Sequence, residues 1–174
     1  MAPNLGQLFS VPKPIIGMIH LSGGDELERL KIAIEELRVY EQEGVDGAII
    51  EDYHGTPTDV LRVLVKASKL DLKLVLGVNV LSDPYSSFDF ARRGKARFVQ
   101  FDSVQTQDLD LSKYRLLRKI FGNIAVLGGV GFKYTRPTGN PLEHDLEEGT
   151  LWCEAIVTTG TGTGIETPLD KLRE

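Results

Sequence analysis

The stretch GVDGAIIEDYHGTPTDVLRVLVKA, residues 44–67, changes its structural period part-way along. Gly47–Glu51 is a short apolar run, too short and continuous for an amphipathic helix. It reads as a buried strand of a parallel sheet. Glu51 and Asp52 close the run with adjacent carboxyls, which a strand sends to opposite faces, so at most one faces a pocket. Thr56 then precedes Pro57, a threonine cap followed by proline at the first helical position, and this opens a helix. Leu61, Leu64 and Val65 supply its apolar face. One strand, one polar rim and one capped helix make a βα unit.

The unit recurs in both directions. Residues 15–20, 73–81, 98–104, 124–130 and 154–158 are further apolar runs. Leu27, Leu30, Ile34 and Leu37 fall on one face of a helix over residues 25–43, with Gly44 in the C-cap position. Residues 82–96, opened by Ser or Asp before Pro84, and residues 111–121, 144–152 and 167–173 read as the remaining helices. Strand then helix, six times over, predicts an α/β fold with parallel strands. A doubly wound open sheet would be complete with six strands. A (β/α)8 barrel needs about 250 residues, so the chain would hold about six of its eight βα units. Periodicity alone does not choose between the two. No linker or low-complexity stretch divides residues 1–174, which read as one domain; the segment KYTRPTGNPLEHD is a long loop after the fifth strand.

Composition narrows the classes of function. The 174 residues carry a net charge of −5 with mixed signs throughout. No basic block or stripe offers itself to phosphate backbones, which argues against a nucleic-acid partner. Cys153 is the sole cysteine, which rules out an internal disulfide and fits a reducing, cytoplasmic setting. No run approaches the roughly 20 apolar residues needed to span a bilayer, and no basic amphipathic helix suggests a membrane surface. No stable membrane insertion is expected.

The polar residues that interrupt the apolar runs gather at their C-terminal ends. His20 ends the first, Glu51 and Asp52 the second, Asn79 lies near the end of the third, and Asp102 near the end of the fourth. Lys133 follows the fifth. In barrels and open parallel sheets alike, ligands sit at that edge. After the sixth run comes TTGTGTG, residues 158–164. Gly160, Gly162 and Gly164 would permit positive φ and close approach of backbone N–H groups to an anion, with hydroxyls from Thr159, Thr161 and Thr163 beside them. The loop is neither a P-loop, since no lysine follows the glycines, nor the Rossmann fingerprint, which belongs after a first strand. No nucleophile–base arrangement and no local metal-ligand spacing can be named; Cys153 reads as core, and His54 and His144 as polar surface groups.

KPIIGMIHL, EGVDGAIIED, LGVNVL and AIVTTGTGTGIETPLDKL together resemble the BtpA/SgcQ family, in family order from Lys13 onward. The resemblance implies a TIM barrel related to the ribulose-phosphate-binding barrels. It maps the family's motif positions onto His20, Glu51, Asn79, Lys133 and the loop from Thr158 to Gly164. One member of that family is linked to photosystem I biogenesis; no reaction is assigned to the family. The chain departs from the family's pattern in three places. Glu51-Asp52 stands where Glu-Asn is frequent, Gly128-Gly129 where Ala-Asp is frequent, and Ser22-Gly23-Gly24 replaces a longer segment after the first strand.

The expectation is a protein that binds a small phosphorylated molecule, a sugar phosphate or a nucleotide, at the C-terminal rim. His20, Asn79, Thr158, Gly160, Thr161, Gly162, Thr163 and Gly164 would hold it. If the site is catalytic, Glu51 or Asp102 is the general base and Lys133 stabilises negative charge. No cofactor or metal is assigned. The rival expectation is a non-catalytic biogenesis factor acting through a protein partner. With six βα units, the expectation is also that the chain is a fragment or that a homo-oligomer closes the sheet.

Overall fold

The computed structural model describes residues 4–173. A short helix, α1 (Leu5–Leu8), precedes β1 (Ile16–Ile19) and α2 (Glu26–Gln42). The alternation continues through β2 (Gly47–Glu51), α3 (Pro57–Ala67), β3 (Val75–Asn79) and α4 (Ser87–Gly94), the last entered through a single 3-10 turn. It ends with β4 (Phe98–Phe101), α5 (Leu111–Ile120), β5 (Ala125–Gly129), α6 (Leu142–Thr150), β6 (Ala155–Val157) and α7 (Leu169–Arg173). All neighbouring strands are parallel and pair in the order β1-β2-β3-β4-β5-β6. A doubly wound sheet reverses its strand order at a switch point; this one does not, and sequential order is that of a barrel wall. The fold is α/β, six βα units of a TIM-barrel-like architecture.

Strand alternation sends side chains to two faces. On the outer face Ile19, Ile50, Val78, Val99, Phe101 and Val126 pack against the helices. On the inner face Ile49, Phe98, Ala125 and Leu127 form a second core with Leu8 and Phe9. The rings of Phe9 and Phe98 lie 6.0 Å apart. Phe98 also fills the hollow over Gly77, where a Cβ would fall 2.2 Å from its ring. The N-terminal segment therefore fills the lower interior, leaving the upper end for a site. Its helix is held by a capping box, in which Asn4 Oδ1 accepts from Gln7 N–H and Gln7 Oε1 accepts from Asn4 N–H, both at 3.0 Å. Four residues are too few to show a helical period, so sequence patterning passes over this element.

Three local expectations need correction. Leu27 is 73% exposed and leaves the apolar face of α2, where Ile34 and Leu37 are buried as expected, Leu30 packs on the core and Ala33 joins them. The apolar face of α3 is Val60, Val63, Leu64 and Ala67, not Leu61 and Val65. The entry to α4 has no side-chain cap; the buried Ser87 hydroxyl instead accepts from Val80 N–H at 3.1 Å.

The cap on α3 is as expected. Thr56 Oγ1 accepts from Asp59 N–H at 3.3 Å, and the Asp59 carboxylate accepts from Thr56 N–H at 3.0 Å and from Arg29 Nε at 3.0 Å. Thr56→Ala is expected to cost about 1 kcal/mol and lower the melting temperature by about 2–4 °C. A calorimetric melting temperature equal to the parent's would remove the cap from the account.

Candidate functional site

A cavity of about 420 Å3 opens at the C-terminal ends of the strands. His20 enters it from β1, Glu51 and Tyr53 from β2, Gln100 and Asp102 from β4, Lys133 and Tyr134 from the β5 loop. Thr158, Thr159, Thr163 and Gly164 close it from the β6 loop, and Met18 and Val157 line it from the strands below. Parallel register aligns the strand ends, so one residue from each neighbouring strand arrives at the same level: Glu51 stands beside Asn79 in the β2–β3 ladder.

The centre of the site is a pair of carboxyls on one amide. Asn79 Nδ2 donates to Glu51 Oε2 at 2.8 Å and to Asp102 Oδ1 at 3.0 Å. Gln100 Nε2 donates to the same Asp102 oxygen at 3.2 Å. His20 Nε2 lies 3.5 Å from the other Glu51 oxygen. Burial first, and then the negative charge of Asp102, push the Glu51 pKa up to about 7, against the Asn79 hydrogen bond and the Lys133 charge. Burial, then repulsion from His54 and Lys133, holds His20 below its ordinary value. At neutral pH the site thus holds a neutral imidazole against a carboxyl poised between its two states, the arrangement suited to moving a proton.

Asn79 itself does not line the cavity. It is 1% exposed, and its amide bridges the two carboxyls rather than facing the cavity. Asp52 points the other way, as alternation requires. It accepts from Leu81 N–H at 2.6 Å and Ser82 Oγ at 2.9 Å, holding the loop after β3. Gly129 explains how Asp102 fits: a Cβ there would lie 1.9 Å from the Asp102 carbonyl oxygen. The backbone of Asp102 occupies the space that a side chain at 129 would need.

The opposite wall is the threonine loop. Lys133 Nζ donates to Thr163 Oγ1 at 3.1 Å, and Lys133 N–H donates to Thr159 Oγ1 at 2.7 Å. Of the three loop glycines only Gly164 has positive φ. Gly160 and Gly162 are buried and, with the exposed Thr161, lie outside the cavity lining. Gly160 serves packing, since a Cβ would meet the Ile165 and Glu166 carbonyls at 2.7 and 2.6 Å. Two partners escaped sequence reasoning. Lys171 Nζ on α7 donates to Thr159 O at 2.7 Å and to Gly131 O, tying the β5 and β6 loops together. Tyr134, at φ 62, accepts from Thr163 N–H at 3.1 Å. Neither lies at a strand end, the signal that picked out the other residues.

Burial, then the neighbouring Glu154 charge, pushes the Cys153 thiol up to about 11, which keeps it unreactive. Among the described residues, His144, Asp145 and Glu148 on α6 bring ligand-type atoms within 4.8 Å of one another. Asp145 already accepts from Thr138 Oγ1 at 2.6 Å and Glu148 from Thr106 N–H at 2.9 Å, so these carboxylates stitch the loops to α6. Among the described residues no helix is long and apolar enough to cross a membrane.

Comparison with known proteins matches the sequence profile of the BtpA family to residues 11–174. The chain is 27% identical to the photosystem I biogenesis protein BtpA of Synechocystis sp., over 97% of this chain and 70% of that one. It is likewise 27% identical to an uncharacterised protein of Pyrococcus furiosus, over 92% of this chain and 72% of that one. An uncharacterised protein of Methanocaldococcus jannaschii is 25% identical over the same shares.

Proposed function

The chain belongs to the BtpA family, and from that premise we propose that its rim cavity binds a small phosphorylated metabolite. The observation that carries the reading is the polarity of one cavity. Lys133 and the hydroxyls of Thr158, Thr159 and Thr163 form one wall, and the Glu51–Asp102 pair with His20 forms the other. A phosphoryl group suits the first wall, where the Lys133 ammonium meets the Thr163 hydroxyl; the Thr158 and Thr159 hydroxyls donate to Gly131 O and Gly160 O and shape that wall. Hydroxyl groups of the ligand suit the second, where carboxyl and imidazole acceptors stand ready. Within this reading Glu51 is the proton-transfer group, Asp102 sets its charge environment, and Lys133 stabilises negative charge on the ligand.

The test is thermal denaturation with inorganic phosphate, a panel of sugar phosphates and a panel of nucleotides. A ligand at a hundred times its dissociation constant stabilises the fold by about 2.7 kcal/mol. The expected result is a clear upward shift with at least one ligand, abolished in Lys133→Ala, whose unliganded melting temperature stays near the parent's. No shift with any of them at millimolar concentration would refute the reading. The name of the Synechocystis relative supports a second reading, an assembly factor acting through a protein partner. That reading expects Glu51→Gln and Lys133→Ala to leave assembly of the partner complex unchanged.

A further inference from the structure

The opposite end of the sheet carries a second, differently charged cleft. Where α4 ends and β4 begins, Arg92, Lys95 and Arg97 line a cavity of about 470 Å3 with Ile120, Phe121 and Asn123 across from them. Residues 92–97, RRGKAR, hold four cations in six positions of a chain whose net charge is −5. The chain-wide mixture of signs conceals this local concentration, which is confined to six residues.

Part of it has a local account. Arg92 and Arg93 sit in the last turn of α4, where cations complement the helix dipole, and pair with Asp89 at 2.6 and 3.6 Å. Arg92 also lies 5.6 Å over the Phe121 ring. Lys95 and Arg97 have no ion-pair partner among the described residues. Lys95 further occupies the left-handed C-cap of α4, at φ 56, where glycine costs least. The available glycine is used one position earlier: a Cβ on Gly94 would lie 2.4 Å from Leu64 Cβ, so Gly94 lets α4 approach α3. The strained position therefore falls to a lysine that faces the cleft.

The cleft continues onto α5 as an apolar strip. Ile120 is 60% exposed and Leu116, one turn earlier on the same helix face, is 57% exposed. Cations over an apolar floor, continued by exposed aliphatic side chains about 6 Å apart, form a surface longer than a small molecule needs. A flat bilayer does not enter a concave cleft, whereas a peptide side chain does. We propose that this cleft docks an acidic peptide segment of a protein partner, its carboxylates on Lys95 and Arg97 and its apolar side chains on Ile120 and Leu116. The surface lies at the N-terminal edge of the strands, so it is independent of the rim cavity.

Fluorescence polarisation on the 174-residue chain tests this with a labelled decapeptide of alternating glutamate and leucine. The controls are peptides alternating lysine with leucine and glutamate with serine. Saturable, salt-sensitive binding of the glutamate–leucine peptide alone is expected, weakened about tenfold or more by Arg97→Glu and by Ile120→Ser. Both positions are exposed, and an unchanged melting temperature shows that the variants are folded. Three outcomes would overturn the proposal. One is no saturation at millimolar peptide. Another is affinity unaffected by Arg97→Glu. The third is binding to phosphatidylcholine–phosphatidylserine vesicles in place of the peptide, which would make the cleft a lipid surface.

Discussion

Glu51→Gln is expected to stabilise the protein above neutral pH and to leave it unchanged in acid. Burial and the Asp102 charge push the native Glu51 carboxyl up to about 7, from an ordinary glutamate value of 4.5. Between those values the folded protein keeps a proton that the unfolded chain has released. Stability therefore falls as pH rises across that window, and the loss is complete above the native value. The full displacement corresponds to about 3 kcal/mol, an upper bound that solvent at the cavity mouth reduces. Glutamine removes the titration and keeps the geometry. Its oxygen can accept from Asn79, and its amide can turn toward His20, which lies 3.5 Å from the present carboxyl. At pH 8 the variant should melt up to about 6–12 °C above the parent, whereas at pH 4 the two should coincide. The measurement is a pair of melting curves across that range. Parallel slopes would mean that Glu51 is not the titrating group and would withdraw the proton-transfer role proposed for it.

Gly129→Ala is expected to damage fold and site together. The added methyl would lie 1.9 Å from the Asp102 carbonyl oxygen, a clash of backbone against side chain that no rotamer relieves. Val104 N–H donates to Gly129 O at 3.1 Å, so the two segments are also tied at the same place. Overpacking of this kind costs about 3 kcal/mol or more, or about 6–12 °C. If the strand yields instead, Asp102 moves away from Asn79 and Gln100. A variant that folds would then show a Glu51 titration shifted toward the ordinary carboxyl value, because the second-largest cause of its elevation is Asp102. Chemical denaturation gives the first quantity and carboxyl NMR titration the second. A variant with parental stability and parental Glu51 titration would show that the Asp102 backbone has room that the structure denies it.

Both predictions rest on pairings that no sequence pattern displays. Asn79 reads from sequence as a rim residue that could meet a ligand, because position at a strand end is all that alternation reveals. Folding places it in register with Glu51 and one strand from Asp102, and its amide is used up between them. Gln100 is invisible for the opposite reason: it sits inside an apolar run, two residues before Asp102, and only the inward-facing parity of β4 brings it to the cavity. The threonine loop divides likewise. Thr158, Thr159, Thr163 and Gly164 reach the cavity, whereas Gly160, Thr161 and Gly162 do not.

By itself the sequence determined the six βα units, the parallel sheet and the edge at which polar groups collect. These follow from local period, capping residues and strand parity, all of which act over a few residues. It also carried the family resemblance, which singled out a barrel before the strand order did. Only the tertiary structure decided that α1 fills the lower interior, that Asn79 bridges Glu51 and Asp102 rather than lining the rim cavity, and that the cations of residues 92–97 share a cleft with α5. Each of these depends on residues more than twenty positions apart meeting in space. Such meetings are set by sheet register and helix packing, which one chain's local preferences do not encode.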